Sequence, residues 1–153
     1  MPIDGVEIKG LVEAQRKIEQ VAADVSGEPV RQAVREGTLM IQRTAKEEVA
    51  VDTGRLRGSI TSRVVGDEKS ISGITGTNVK YAADQEFGTG PHMPNLDSLA
   101  IWARRHRADV KAVAQAIGQY GTRAQPYMSP AAKTNESAIK KKLEDAVKGI
   151  VAK

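Results

Sequence analysis

The sequence has no cysteine and only two histidines, His92 and His106. Without cysteine, disulfide bonds and thiolate metal sites are excluded, and the two histidines lack the mutual spacing of metal ligands. No apolar run approaches the roughly 20 residues that a membrane-spanning helix requires. The N-terminus also lacks the charged-then-apolar pattern of a signal peptide, so we expect a protein that is made and kept in a cytoplasm.

Aromatic residues are scarce as well: one Phe, one Trp and three Tyr in 153 residues. Alanine, valine, isoleucine and leucine must therefore form the core, and they bury less area per residue. A chain of this length fits one domain with a modest core, and we expect some apolar surface to be covered by other subunits. The net charge of +4 is compatible with contact to a polyanion but does not indicate one.

Apolar residues recur at spacings of three and four in the first third of the chain, which is typical of amphipathic helices. One such helix is predicted over residues 11–25, after a short strand over residues 3–9, and a second helix of about 20 residues over residues 30–49. Alternating patterns over residues 59–65 and 70–77 then predict an antiparallel hairpin.

The pattern after the hairpin is mainly helical. Residues 81–87 fit either a short helix or a third strand, and residues 88–94 are predicted to form a loop. A helix then begins at Asn95 or Asp97, and another short helix is predicted over residues 109–118.

The last third completes an α+β arrangement, with helices packed on a small antiparallel sheet. Gly118 is expected to stop the short helix before it, and Ser129 with Pro130 to cap and open a C-terminal helix. We predict one domain over residues 1–153 that carries a two-helix insertion at residues 91–120. The C-terminal helix has one apolar face, formed by Ile139, Leu143, Ala146, Val147 and Ile150.

The triplet Asp52-Thr53-Gly54 lies where the helical pattern stops and the alternating pattern begins. Asp52 is predicted to cap a short helical turn over residues 53–57. The same triplet occurs in aspartic peptidases, where two such carboxylates share a proton and activate water. That chemistry requires a loop between strands, whereas here a long helix precedes Asp52 and Arg55 follows the triplet, so we favour the capping role.

Two further features invite a chemical interpretation. Glu86 is either a buried acid or, as we favour, a side chain that binds backbone amides or an arginine such as Arg55 or Arg123. Cations close to Trp102 are predicted to compensate the helix end, with contact to a DNA backbone as the alternative; they are Arg104, Arg105 and Arg107. No nucleophile–base set, phosphate loop or dinucleotide fingerprint is present, so we expect neither an enzyme nor a cofactor.

Three segments, at residues 51–60, 81–89 and 126–131, resemble in this order the motifs of tailed-bacteriophage neck and minor tail proteins. In words, the motifs are a Val-Asp-Thr-Gly turn leading to Ser-Ile, a Tyr-Ala segment leading to Glu-Phe-Gly-Thr, and a Pro-aromatic-Met segment leading to Pro-Ala. The residues that carry the resemblance are Asp52, Thr53, Gly54, Leu56, Ser59, Tyr81, Ala82, Glu86, Phe87, Gly88, Thr89, Pro126, Tyr127, Met128, Pro130 and Ala131.

The resemblance implies a structural protein of a virion or prophage, without a catalytic site or cofactor. Such proteins form rings between the head connector and the tail, around the passage for DNA. Expected partners are other copies of the chain, the head connector or head-completion protein, and the tail tube or tail terminator. The location is the virion, or the host cytoplasm during assembly. The alternatives are a tail terminator or other minor tail protein, a dimeric aspartic peptidase that uses Asp52, and a DNA-binding protein.

Overall fold

The computed structural model describes residues 16, 20, 27–67 and 70–152. Within them the chain forms six helices and a two-stranded antiparallel sheet, which confirms the predicted α+β class. In chain order the elements are α1 (Glu28–Glu48), α2 (Arg55–Ser59), β1 (Thr61–Gly66), β2 (Ile71–Gly76), α3 (Ala82–Phe87), α4 (Leu96–His106), α5 (Val110–Tyr120) and α6 (Met128–Val151).

These elements group into two compact units. The first unit takes its residues from 1–41, 62–75 and 134–153, and the second from 42–61 and 76–133. Nothing in this grouping tests the single domain predicted from the sequence, which stays a prediction. None of the helices in the described part of the chain is long and apolar enough to cross a membrane.

The long helix predicted over residues 30–49 is confirmed as α1. It begins with Glu28 and Pro29, an acid near the positive helix end and a proline in the first turn. The strand predicted over residues 3–9 lies outside the described residues. So does the helix predicted over 11–25, apart from positions 16 and 20, which are helical.

In the first unit, the hairpin packs on α1 through Thr38, which is buried. The hydroxyls of Ser62 in β1 and Thr75 in β2 both donate to the Thr38 carbonyl oxygen, at 3.0 and 3.2 Å. Gly73 faces the same helix, and a Cβ there would collide with the Thr38 methyl group. The small residue in β2 therefore allows the sheet to approach α1 closely.

Helix α6 contributes its apolar face to the first unit, as predicted. Gly37 of α1 lies against Ile139, whose nearest side-chain atom would be 3.1 Å from a Cβ at that glycine. Lys142 forms an ion pair with Glu36 at 2.6 Å beside this contact. Two glycines, Gly73 and Gly37, thus allow α1 to contact the hairpin and α6 closely.

The core of the second unit follows the aromatic-poor composition. Its buried side chains are mostly small or aliphatic, with Tyr127 as the one buried aromatic residue among those described: Ala45, Val49, Leu56, Ile60, Val79, Ala82, Ala103, Ala114, Tyr127 and Ala131. Helices α4 and α5 pack on each other within this unit. They are the two helices predicted for residues 91–120.

The helix ends observed in the second unit agree only partly with those predicted from the sequence. Residues 81–87, which fitted either a helix or a strand, are helical. Asn95 caps α4 by accepting from the Ser98 amide at 2.8 Å. The prediction that Gly118 stops the next helix is wrong, because α5 continues to Tyr120 and ends at Gly121, which has a φ of 75°.

Candidate functional site

Asp52 does not cap the short helix α2, so the predicted cap is wrong. The residue at the cap position is Gly54, which has a φ of 80° and makes no side-chain cap hydrogen bond. The Asp52 carboxylate points instead to the end of α4. It accepts two hydrogen bonds from the Arg105 guanidinium, at 3.0 and 2.5 Å, and lies 3.1 Å from His106 Nε2.

Arg105 and His106 both act on the charge state of Asp52. Desolvation raises the pKa of its carboxyl, but hydrogen bonds from His106 and Arg105 and their positive charge outweigh it, so the pKa is lowered. Asp52 is therefore held as an anion. An aspartic-peptidase dyad requires the opposite, a carboxyl group that shares a proton.

His106 also contacts Trp102, one helical turn earlier on α4. The two rings are stacked, with centroids 4.4 Å apart and planes inclined by 22°. Both histidines are exposed, and His92 lies in the loop, 3.2 Å from the Thr89 hydroxyl. Among the described residues, no group of three His or acidic side chains could hold a metal ion.

An open cleft of about 580 Å³ lies beside the Asp52–Arg105 pair. The turn that precedes α2 and α2 itself form one wall, and α4 forms the other. The α4 wall is a stripe at helical spacing, since Ser98, Ile101, Trp102 and Arg105 all line the cleft. Tyr81 and Gln85, from the second resembling segment, complete it.

Glu86 occupies a separate place in the second unit, at the first turn of α6. Its carboxylate accepts backbone N–H groups of Tyr127, Met128 and Ser129, all at 2.8–2.9 Å, and the Ser129 hydroxyl at 2.6 Å. The favoured prediction, that Glu86 binds backbone amides or an arginine, is confirmed for the amides; the described contacts are with these amides and the Ser129 hydroxyl, not with Arg55 or Arg123. The Glu86 side chain is also buried. The predicted Ser129 cap is wrong, since Ser129 lies inside α6.

The charge of Glu86 is fixed by this arrangement. Desolvation raises the pKa of its carboxyl, but hydrogen bonds from the Ser129 hydroxyl and from the three amides outweigh it and lower the pKa to about 2. An anion at the first turn also meets the positive end of the helix dipole. Glu86 therefore acts as a cap supplied from a distant part of the chain, and it joins the second and third resembling segments.

A second link joins the same two segments. Thr89 and Thr122 form an antiparallel bridge, and Gln85 donates to the Gln125 side chain at 2.6 Å. Gly88 has a φ of 71°, and a Cβ at this position would collide with the Thr122 carbonyl oxygen. The glycine is thus required by the turn and by the close approach of the two chain segments.

Most other residues of the resembling segments lie in the core or at helix ends. Leu56, Ala82, Tyr127 and Ala131 are buried, and Ser59 lies 2.6 Å from the Thr77 hydroxyl. Phe87 is 75 % exposed. Thr53 accepts from the Arg55 amide at 3.4 Å, while Met128 and Pro130 lie half-buried in the first turn of α6 after the exposed Pro126.

The three candidate DNA-facing arginines are not equivalent. Arg105 is engaged by Asp52, whereas Arg104 and Arg107 are exposed, and Arg107 ends α4 with a φ of 54°. The pairing of Asp52 with Arg105 is not predicted from the sequence, because the two residues lie 53 positions apart. The stripe of Ser98, Ile101, Trp102 and Arg105 marks a face of α4 but does not indicate which residue that face meets.

The sequence pattern that describes one protein family matches part of the chain. The match covers residues 13–88, and the family is described as "Bacteriophage HK97-gp10, putative tail-component". It includes the resembling segment at residues 51–60 and all but the last residue of the segment at 81–89, and it stops before the segment at 126–131. No curated protein and no solved structure matched the chain.

Proposed function

Because the chain belongs to the HK97-gp10-like family of bacteriophage tail components, we propose that it is a ring subunit that joins the head connector to the tail around the passage for DNA. The family membership makes it a structural phage protein that contacts other proteins of the virion. The joining role and the ring are the proposal. The family match across the Asp52 segment is the observation that carries it.

The surface of the second unit supports a role in assembly. Several large apolar side chains of this unit are exposed, among them Phe87, Met93 and Tyr120 at about three quarters of their area. In a chain with five aromatic residues, two of these three positions are aromatic. Large exposed apolar side chains are typical of surfaces that another protein covers.

We also propose that the protein has no catalytic activity. Its most enzyme-like triplet contains an aspartate that is held ionised by Arg105 and His106, so it serves as an anchor between the turn before α2 and the end of α4. An aspartic peptidase that used Asp52 would lose peptide cleavage on Asp52→Asn. We expect no cleavage by either form.

The mass of the purified protein, measured across a concentration series by native mass spectrometry, tests the ring. A closed ring predicts one oligomer of fixed stoichiometry that replaces the monomer as concentration rises. An open-ended series of masses would contradict closure, because a heterologous contact that does not close produces filaments.

A ring that forms only on its partner is tested by repeating the mass measurement in the presence of isolated heads and tails. In that case we expect the free chain to be monomeric and the joined particles to contain a fixed number of copies. A chain that binds neither heads nor tails, and stays monomeric throughout, contradicts the joining role. A tail terminator, the alternative position, would bind tails alone.

A further inference from the structure

The cleft beside α4 combines exposed apolar side chains with cationic ones. Tyr81, Ile101 and Trp102 line it and remain 44 %, 53 % and 36 % exposed. Its volume of about 580 Å³ lies within the range of about 300–1,000 Å³ typical of binding pockets. The cleft is therefore large enough to take a bulky side chain of a partner.

Basic side chains outnumber acidic ones in the lining of the cleft. Arg55, Arg57 and Arg105 line it, and Asp52 is the only acidic side chain among the lining residues. Asp52 is already compensated by Arg105 and His106. An anionic partner would thus meet the exposed Arg55 and Arg57, and it would not be repelled by a free carboxylate.

We propose that this cleft binds an extended acidic peptide segment that carries a bulky apolar side chain, supplied by a neighbouring protein of the virion. The proposal rests on the assembly role proposed above and names the chemistry of the docked partner. The apolar side chain lies against Tyr81, Ile101 and Trp102. Flanking carboxylates of the segment pair with Arg55 and Arg57 at the edge.

A peptide fits the cleft better than a nucleic acid does. One face of the Trp102 ring is covered by His106, so that face is not available for stacking of a base. Ile101, a branched aliphatic side chain, offers a contact for another apolar side chain but not for a base or phosphate. The arginines then supply orientation and selectivity for acidic sequences.

Trp102 is the only tryptophan of the chain, so the tryptophan emission reports on a single site, the surroundings of this ring in the cleft wall. The intact protein is titrated at fixed salt with the capped acidic hexapeptide EDLFDE. Two matched peptides, KKLFKK with reversed charge and EDAADE without bulky side chains, serve as controls. A short oligothymidylate is the probe for nucleic acid. We expect a saturable change in emission with EDLFDE and little change with the other three.

Protein variants locate the binding. The double variant Arg55→Glu/Arg57→Glu is expected to weaken binding of EDLFDE about tenfold, because two favourable charge contacts become repulsive. Arg43 is an exposed arginine of α1 that does not line the cleft, so Arg43→Glu is the control for a charge reversal outside the cleft and should leave the affinity unchanged. Ile101→Ala removes an apolar wall without changing charge and should also weaken binding. Thermal unfolding of each variant checks that it is folded.

Each other outcome overturns the proposal. These outcomes are no saturable response to EDLFDE, equal binding of KKLFKK or EDAADE, tighter binding of the oligothymidylate, and equal loss in the Arg43→Glu control. The ring is measured separately by mass, so the two proposals fail independently. A fixed oligomer without peptide binding rejects only the cleft, whereas peptide binding by a chain that never joins heads to tails rejects only the joining role.

Discussion

Glu86 connects the second resembling segment to the third through hydrogen bonds. Its carboxylate accepts four hydrogen bonds at the first turn of α6. Glu86→Gln removes the charge and turns one oxygen acceptor into a donor that faces other donors. The lowering of its pKa from 4.5 to about 2 corresponds to about 3 kcal/mol of stability at neutral pH. We expect Glu86→Gln to lower the free energy of unfolding by about this amount in urea denaturation.

Asp84→Asn is the matched control for this substitution. Asp84 lies in the same short helix but its side chain is exposed, so the free energy of unfolding should change by less than about 0.5 kcal/mol. Equal losses for the two variants would mean that the effect comes from the net charge of α3 and not from the cap.

The same residue predicts an acid dependence of stability. The pKa of Glu86 is lower in the folded chain than in the unfolded chain, so the unfolded state binds the proton more readily as the pH falls. Its contribution is complete above about pH 5 and is lost as the pH approaches 2. The difference in stability between the parent protein and Glu86→Gln should therefore shrink across this range. A difference that is constant with pH would contradict the role of the charge.

Asp52 is predicted to have a smaller effect than Glu86. Its side chain is one third exposed and its partners Arg105 and His106 are exposed as well, so solvent screens the pair. Asp52→Asn should lower the melting temperature by less than half of the shift caused by Glu86→Gln. Because His106 stacks on Trp102, the tryptophan emission should change too. An unchanged emission spectrum would indicate that Asp52 does not hold His106 in place.

Among the helix ends, we predict opposite effects on stability for alanine substitutions at two glycines that lie three residues apart. Gly121 ends α5 with a φ of 75°, and a Cβ there would collide with the Thr89 carbonyl oxygen. Gly118 lies inside the helix, where a Cβ has room. Gly121→Ala should destabilise the protein by about 1–3 kcal/mol, through strain and collision. Gly118→Ala should stabilise it by about 0.5–1 kcal/mol. Chemical denaturation of both variants measures the signs, and the same sign for both would contradict the helix end at Gly121.

The helices and the hairpin also show which structural features the sequence could predict. The periodicity of α1 and the alternation of the hairpin were sufficient, because each depends on residues close together in the chain. The start of α6 was predicted at Ser129, a good local cap, but the cap is Glu86, more than 40 residues earlier. The Asp52 cap failed for the same reason, since Arg105 lies 53 residues away and outcompetes the adjacent amides. Contacts across such distances leave no local pattern.

In the whole molecule, two sides of α4 present different residues. Ser98, Ile101, Trp102 and Arg105 line the cleft, whereas Arg104 is displaced from Arg105 by about 100° around the helix axis. Arg104 and Arg107, three residues apart, share a side of the helix and are exposed. A subunit that surrounds a DNA passage could present these two arginines to the phosphates while the cleft holds a protein partner.

DNA contact through these two arginines predicts a specific salt dependence. Each phosphate contact contributes roughly 0.9 to the slope of log affinity against log salt, so Arg104→Gln/Arg107→Gln should reduce that slope by roughly 1.8. The measurement is the binding of a labelled duplex, by fluorescence anisotropy, over a series of salt concentrations. Arg43→Gln/Arg63→Gln removes the same charge from other exposed positions and should leave the slope nearly unchanged. Arg105→Gln should also leave it unchanged, because Asp52 already engages that guanidinium. If all three variants reduce the slope equally, the DNA responds to net charge, and α4 provides no defined contact to the passage.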